Sequence, residues 1–224
     1  MPKHLMKEIE RVKDMLRVLS VKVEESVHKA VNSIERRDAE MGKRIIEHDI
    51  DIDHMEVDVE EECLKILALH QPVANDLRFI VAVLKINNEL ERIADLSVNI
   101  AERAIFLSTK AKLDVPFDFP SMADKAQAML EKSLEALFNL DSHMAREVII
   151  MDDEVDAINR QMYDKVKDGI RKHPEGLDQL IHFLSVSRHL ERIADHASNI
   201  AEDVIYMIDG EIVRHRAEDF QKNP

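Results

Sequence analysis

Tryptophan is absent from this 224-residue chain, cysteine occurs once, glycine four times and proline six, and aromatic residues make up 4%. A sheet protein of this length would need more Gly, Val, Thr and aromatic residues for its turns and strands, so a sheet architecture is excluded. Cys63, being alone, forms no internal disulfide, which fits a reducing cytoplasm. No apolar run approaches the roughly 20 residues that a membrane-spanning helix needs, and the opening MPKHLMKEIERVK lacks the apolar segment of a secretory signal. A cytoplasmic location is expected, with membrane contact only through partners. Positive charge is also short: 31 Lys and Arg against 45 Asp and Glu give a net charge of −14. Such a chain repels nucleic acid and suits cations or basic protein surfaces instead. There is no Gly-rich phosphate loop, nucleophile elbow or Ser–His–Asp arrangement, so no catalytic residue is expected.

What is present favours helix. Leu, Ala, Glu, Lys, Arg, Met and Ile dominate. Leu5, Ile9, Val12, Leu16, Leu19, Val23, Val27, Ala30 and Ile34 step by threes and fours, the apolar stripe of a helix over about residues 3–37. A second helix runs through EMGKRIIEHDIDIDHMEVDVEEECLKILA. HQPVAND ends it at Pro72, with Asn75 or Asp76 expected to cap a third helix. STKAKLDVPFDFP, with Pro116 and Pro120, breaks the periodicity, after which three more helices follow, the last two separated by KHPEGLD. The expected architecture is all-α: two tandem three-helix bundles related by internal duplication, over residues 1–110 and 121–210, with a linker at 111–120 and a charged tail at 211–224.

The duplication is explicit. ELERIADLSVNIAER at 89–103 and HLERIADHASNIAED at 189–203 share ten of fifteen residues at an offset of 100. DIDID at 49–53 matches DDEVD at 152–156, one helix earlier in each half. On a helix turning 100° per residue, Glu91, Asp95, Asn99 and Glu102 share one face, as do Glu191, Asp195, Asn199 and Glu202. Asp49, Asp53, Glu56 and Glu60 share another, and Asp152 and Asp156 are followed by Asn159. A carboxylate stripe opposite a core is usually a solvated face. Here, however, acids four apart repel each other, and no Lys or Arg stands at i+4 from Asp49, Asp53, Glu91 or Glu191. Both copies keep these acids while neighbours change freely, as Leu96 against His196 and Val98 against Ser198. Carboxylates gathered from adjacent helices suit hard cations such as iron, manganese, magnesium or calcium, with zinc also open.

Arg92 and Arg192 follow the first acid of each pair, as structural counter-charges or as partner contacts. His54, His189 and His196 lie near the acids, either as supplementary ligands or as surface residues without a role. Cys63 and the eleven methionines suit the core.

QPVANDLR followed by ELERIAD, the acid pairs, and the recurrence of the whole pattern resemble the PhoU family over nearly the entire chain. The resemblance implies a six-helix, pseudo-twofold fold. It implies single or multinuclear metal ions, iron or zinc foremost, held at Asp49, Asp53, Glu91 and Asp95 and at Asp152, Asp156, Glu191 and Asp195. Glu56, Asn99, Glu102, Asn199 and Glu202 are possible further ligands, although Asn99 and Asn199 replace an acid that some members carry. It also implies a non-catalytic homodimeric adaptor that links a phosphate ABC transporter to a sensor histidine kinase and restrains the phosphate-starvation response. Two other readings stay open: a purely structural helical adaptor, and a ferritin-like carboxylate metalloenzyme. The latter would need paired Glu-x-x-His motifs, of which only Glu25-x-x-His28 is present.

Overall fold

A computed structural model describes residues 3–113 and 119–213. Six helices follow in order: α1 (Lys3–Arg36), α2 (Ala39–His70), α3 (Ala74–Ser108), α4 (Phe119–Asn139), α5 (Ser142–Lys172) and α6 (Leu177–Asp209). A 3-10 turn, Pro174–Gly176, lies before α6. The first three and last three helices pack as two bundles, as the duplication predicts. All nine apolar residues of the α1 stripe are buried, Val12, Leu19, Val23 and Ala30 completely. Burying each such leucine or isoleucine side chain contributes about 1.5–3 kcal/mol.

The two halves repeat in local detail. Asp38 and Asp141, 103 residues apart, occupy equivalent N-caps, and each accepts a hydrogen bond at 2.9 Å from a backbone N–H three residues on, at Met41 and Met144. Each cap follows a residue with positive φ, Arg37 at 53° and Leu140 at 54°. Arg37 also reaches the end of α3, donating to the carbonyls of Leu107 at 3.2 Å and Lys110 at 2.7 Å. A cation there satisfies carbonyls that the helix leaves open. Gly42 lets α2 approach α3, because a Cβ at this position would stand 2.9 Å from Ile105 and 3.0 Å from the Ala101 carbonyl. Its counterpart in the second half is the small, fully buried Ala145.

Two sequence expectations change. Neither Asn75 nor Asp76 caps α3. Both lie inside its first turn, because the extended backbone of Val73 takes the cap position directly after the buried Pro72. Phe119 and Pro120 begin α4 rather than ending a linker, since proline is tolerated in a helix's first turn. Of the expected linker at 111–120, residues 114–118, with Pro116, lie outside the described residues, as does the 214–224 portion of the tail. Where the 211–224 tail is described it lies against the bundle: Arg146, which also joins Asp209 at the end of α6 at 3.0 Å, reaches Glu211 at 3.3 Å, and Val213 is buried.

The bundles share one core, continuous from Leu5 to Val213. It runs through the contact between α3 and α6, which cross antiparallel. Lys85 meets Asp203 at 2.7 Å at one end, and Arg103 meets Ser185 at 3.4 Å at the other. These are the same pair of positions exchanged between the halves, as a twofold axis requires. The contacts bracket a crossing at Ala94 and Ala194, both fully or nearly fully buried. The alanine of each LERIAD copy is thus small where two helices must come close.

Candidate functional site

The acid pairs stand along the seams between neighbouring helices, Asp49 and Asp53 of α2 beside Glu91 and Asp95 of α3, and Asp152 and Asp156 of α5 beside Glu191 and Asp195 of α6. They are not all fully solvated. Asp49, Glu91, Asp152, Asp156 and Glu191 are half-buried, whereas Asp53, Asp95 and Asp195 are exposed. Helical pitch explains the difference, because the buried neighbours Ile45, Ile52, Leu90, Ile93 and Ala94 pull the first acid of each α2 and α3 pair against the seam.

Their electrostatics show which acids face each other. Burial, then the charges of Asp53 and Asp95, pushes Asp49 up to about 6. Glu91 is raised by burial and by Asp95, Glu56 and Asp53, and Asp95 by burial and Asp53. In the second bundle burial, Asp195, Asp156, Asp153 and Glu191 push Asp152 up to about 7. Glu191 and Asp195 are raised by burial with Asp195 and Asp156, and by burial with Asp156, respectively. Each half therefore repels itself across its own seam, as clustered carboxylates do. Asp49 Oδ1 is buried without a hydrogen-bond partner among the described residues. Beside Asp152 and Asp195 lies a cleft of about 340 Å³, which Asn199 and Glu202 also line. An all-oxygen, anionic, under-neutralised donor set fits a hard cation. Among the described residues no three His, Cys, Asp or Glu side chains already stand in ligating geometry.

The possible further ligands separate in role. Glu56 accepts from Asn87 Nδ2 at 2.9 Å, and the same amide donates to the Glu56 carbonyl, fastening α3 to α2. The equivalent pair in the second half is Ser187, whose hydroxyl donates to Asn159 Oδ1 at 2.8 Å. Asn159, which stands where the first half has Glu56, is a buried structural partner. Asn99 donates to the carbonyl of Asp95 at 2.8 Å, and Glu102 pairs with Arg103 at 3.1 Å. Asn199 donates to Glu89 of the other bundle at 3.1 Å. Arg92 and Arg192 are exposed beside the acids, and neither closes an ion pair within 4.0 Å among the described residues.

Two histidines correct the sequence reading. His196 is not a surface residue: it is buried at the α3–α6 contact, with Nδ1 2.6 Å from Glu89. Burial raises Glu89, but the hydrogen bonds from His196 and Asn199 and the charges of His196 and Arg92 outweigh it, leaving the carboxyl below its ordinary value. His189 is half-buried, meets Ser185 at 3.1 Å, and is held down to about 4 by burial and by Arg103, Arg192 and Arg188. It is therefore neutral at ordinary pH. His54 is exposed. Cys63 is the core residue expected, its thiol pushed up to about 12 by burial and by Glu62 and Glu60.

Sequence reasoning missed the inter-bundle polar contacts. The signal was present in the repeat itself. Three of its five mismatched pairs, Glu89/His189, Leu96/His196 and Arg103/Asp203, fall seven residues apart along the strip facing the other bundle.

The PhoU domain pattern matches residues 16–104 and again 119–204. The PhoU homologue of Aquifex aeolicus, described as a phosphate-specific transport system accessory protein, is 36% identical, covering 95% of this chain and 96% of its own length. The Pseudomonas aeruginosa homologue is 34% identical, over 93% and 86% of the two chains. The crystal structure of Pseudomonas aeruginosa PhoU superposes with a TM-score of 0.88 at 33% identity, over 92% of this chain and 99% of that one. The Streptococcus pneumoniae phosphate transport system regulatory protein PhoU gives 0.83 at 27% identity, over 93% and 99%. With two copies of the domain, matching relatives along almost its full length and the same fold, this chain belongs to the PhoU family.

Proposed function

We propose that this protein is a cytoplasmic, non-catalytic regulator of phosphate uptake. It docks on the cytoplasmic side of a phosphate ABC transporter and on a sensor histidine kinase, as a homodimer, and restrains the phosphate-starvation response while phosphate is plentiful. The observation that carries this reading is the near full-length match to proteins named as accessory to phosphate-specific transport. The physics agrees with it. No helix among the described residues is long and apolar enough to cross a membrane, so the membrane is reached through a partner, and an acidic surface speeds and steers encounter with a basic one.

Metal belongs to the same proposal. Asp49, Asp53, Glu91 and Asp95 in the first bundle, and Asp152, Asp156, Glu191 and Asp195 in the second, hold iron or zinc, with manganese, magnesium or calcium as alternatives. The ion supplies positive charge at the seam. The carboxylates turn toward each other, relieve their repulsion, and tie α2 to α3 and α5 to α6. Arg92 and Arg192 remain outside as partner contacts. Deleting the gene in its host is expected to switch on phosphate-starvation genes in phosphate-rich medium, and restoring the chain to silence them. An unchanged reporter in the deletion strain refutes the function.

A further inference from the structure

Between α1 and α2, near the turn that joins them, lies a groove of about 280 Å³ that the acid pairs do not share. Its floor is apolar, from Met41, Ile45 and Ile52. Lys22 and Lys29 of α1, with Glu25 and Ser26 between them, stand on one wall, and Arg44 and His48, one turn apart, on the other, with Asp51 toward the far end. A concentration of basic groups over an apolar floor is unexpected in a chain of net charge −14.

The pseudo-symmetric position in the second bundle shows what an unused version of this groove looks like. At the same offset of 103, Lys125 and Lys132 replace Lys22 and Lys29 unchanged. Glu147, however, stands where the first bundle has Arg44, and Glu154 where it has Asp51. There both lysines are tied across the helix pair, Lys132 to Glu147 at 2.6 Å and Lys125 to Glu154. In the first bundle the corresponding ties are missing. Lys29 is set opposite a like charge, Arg44, and turns back to Glu25 of its own helix at 3.0 Å. Among the described residues no ion pair within 4.0 Å bridges α1 and α2 along this groove. Where the second bundle closes two ionic clasps, the first sets Lys29 and Arg44 on opposite walls of an apolar trough, Lys29 balanced by Glu25 and Arg44 without an ion pair among the described residues, so that Arg44 favours an anion placed between the walls.

We propose that this groove binds a small phosphorylated organic metabolite of nucleotide size. Its phosphate sits between Lys29, Arg44 and His48, because a guanidinium fork and an ammonium together match phosphate oxygens. Its apolar or aromatic body lies on Met41, Ile45 and Ile52, and Asp51 accepts from an amino group at the other end. The volume, near the lower end of the about 300–1,000 Å³ of ligand sites, admits a small molecule rather than a partner's helix. The groove is on the side of α2 turned to α1, and the Asp49 and Asp53 seam is on the side turned to α3. The two proposals therefore stand or fall separately.

The test uses the full chain stripped of metal with a chelator, so that phosphate cannot bind through a cation at the acid seams. Calorimetric titration with AMP and ADP is expected to give dissociation constants of about 10–100 µM, with adenosine and inorganic phosphate each at least tenfold weaker. Arg44→Glu offers Lys29 the partner that Lys132 has in Glu147. It is expected to weaken nucleotide binding at least tenfold with helicity and melting temperature maintained. Lys167→Glu, the same charge change on α5 away from the groove, is expected to leave binding unchanged. The proposal is overturned if neither nucleotide binds, if inorganic phosphate binds as tightly as AMP, if Arg44→Glu binds normally, or if Lys167→Glu loses as much as Arg44→Glu.

Discussion

Asp152 is half-buried at the α5–α6 seam, and its carboxyl is pushed from 3.8 up to about 7 by burial and by Asp195, Asp156, Asp153 and Glu191. A carboxyl that holds its proton more tightly when folded than when unfolded stabilises the fold below its unfolded value. That contribution disappears as pH rises through the folded value. Asp49, raised to about 6, acts in the same direction. Metal-free protein should therefore lose stability between about pH 4 and pH 7 on account of these groups, opposite to a carboxylate held by a salt bridge. Asp152→Asn should raise stability near pH 8 by about 1 kcal/mol, after discounting for solvent screening, and change little near pH 4. Thermal melts across pH in the presence of a chelator check this, and a variant that loses stability at high pH contradicts it. The acid pairs could be seen in the sequence because helical spacing alone places them on one face. The burial of Asn159 and His196 could not: whether a polar residue is buried depends on the helix packed across from it, which no spacing within one helix reveals.

At the scale of elements, helix positions followed from apolar periodicity, which is why all nine α1 stripe residues are buried. Helix starts were harder. Asp38 and Asp141 cap α2 and α5 by side chain, but Val73 precedes α3 as a cap without a side-chain hydrogen bond, where backbone geometry after Pro72 replaces the signal. The two side-chain caps occupy equivalent positions in separate bundles and share no partner. Asp38→Ala and Asp141→Ala should each cost about 1 kcal/mol, and the double variant close to the sum. Urea denaturation measures both. A double variant no less stable than either single one contradicts the equivalence of the two turns.

Across the whole molecule, the duplication does more than double a site. Because α3 and α6 cross antiparallel around Ala94 and Ala194, the halves share one core, and the seams carrying the acids flank it. The pattern of two bundles was legible in the ten identities of the LERIAD repeat. Their mode of joining was not, because Lys85–Asp203 and Glu89–His196 lie where the copies differ, and a difference alone looks like freedom. Read across the axis, those differences are contacts, whereas the identities Glu91/Glu191 and Asp95/Asp195 have no such packing role to explain them. The cation proposed for the seams would supply one. The most direct measurement is the anomalous-scattering map of the protein purified without chelator, together with the metal content of the Asp95→Ala/Asp195→Ala variant. The account predicts peaks at both seams, beside Asp49, Asp53, Glu91 and Asp95 and beside Asp152, Asp156, Glu191 and Asp195, with metal lost from the variant while its helicity is kept. Peaks elsewhere, or a variant that retains its metal, would contradict it.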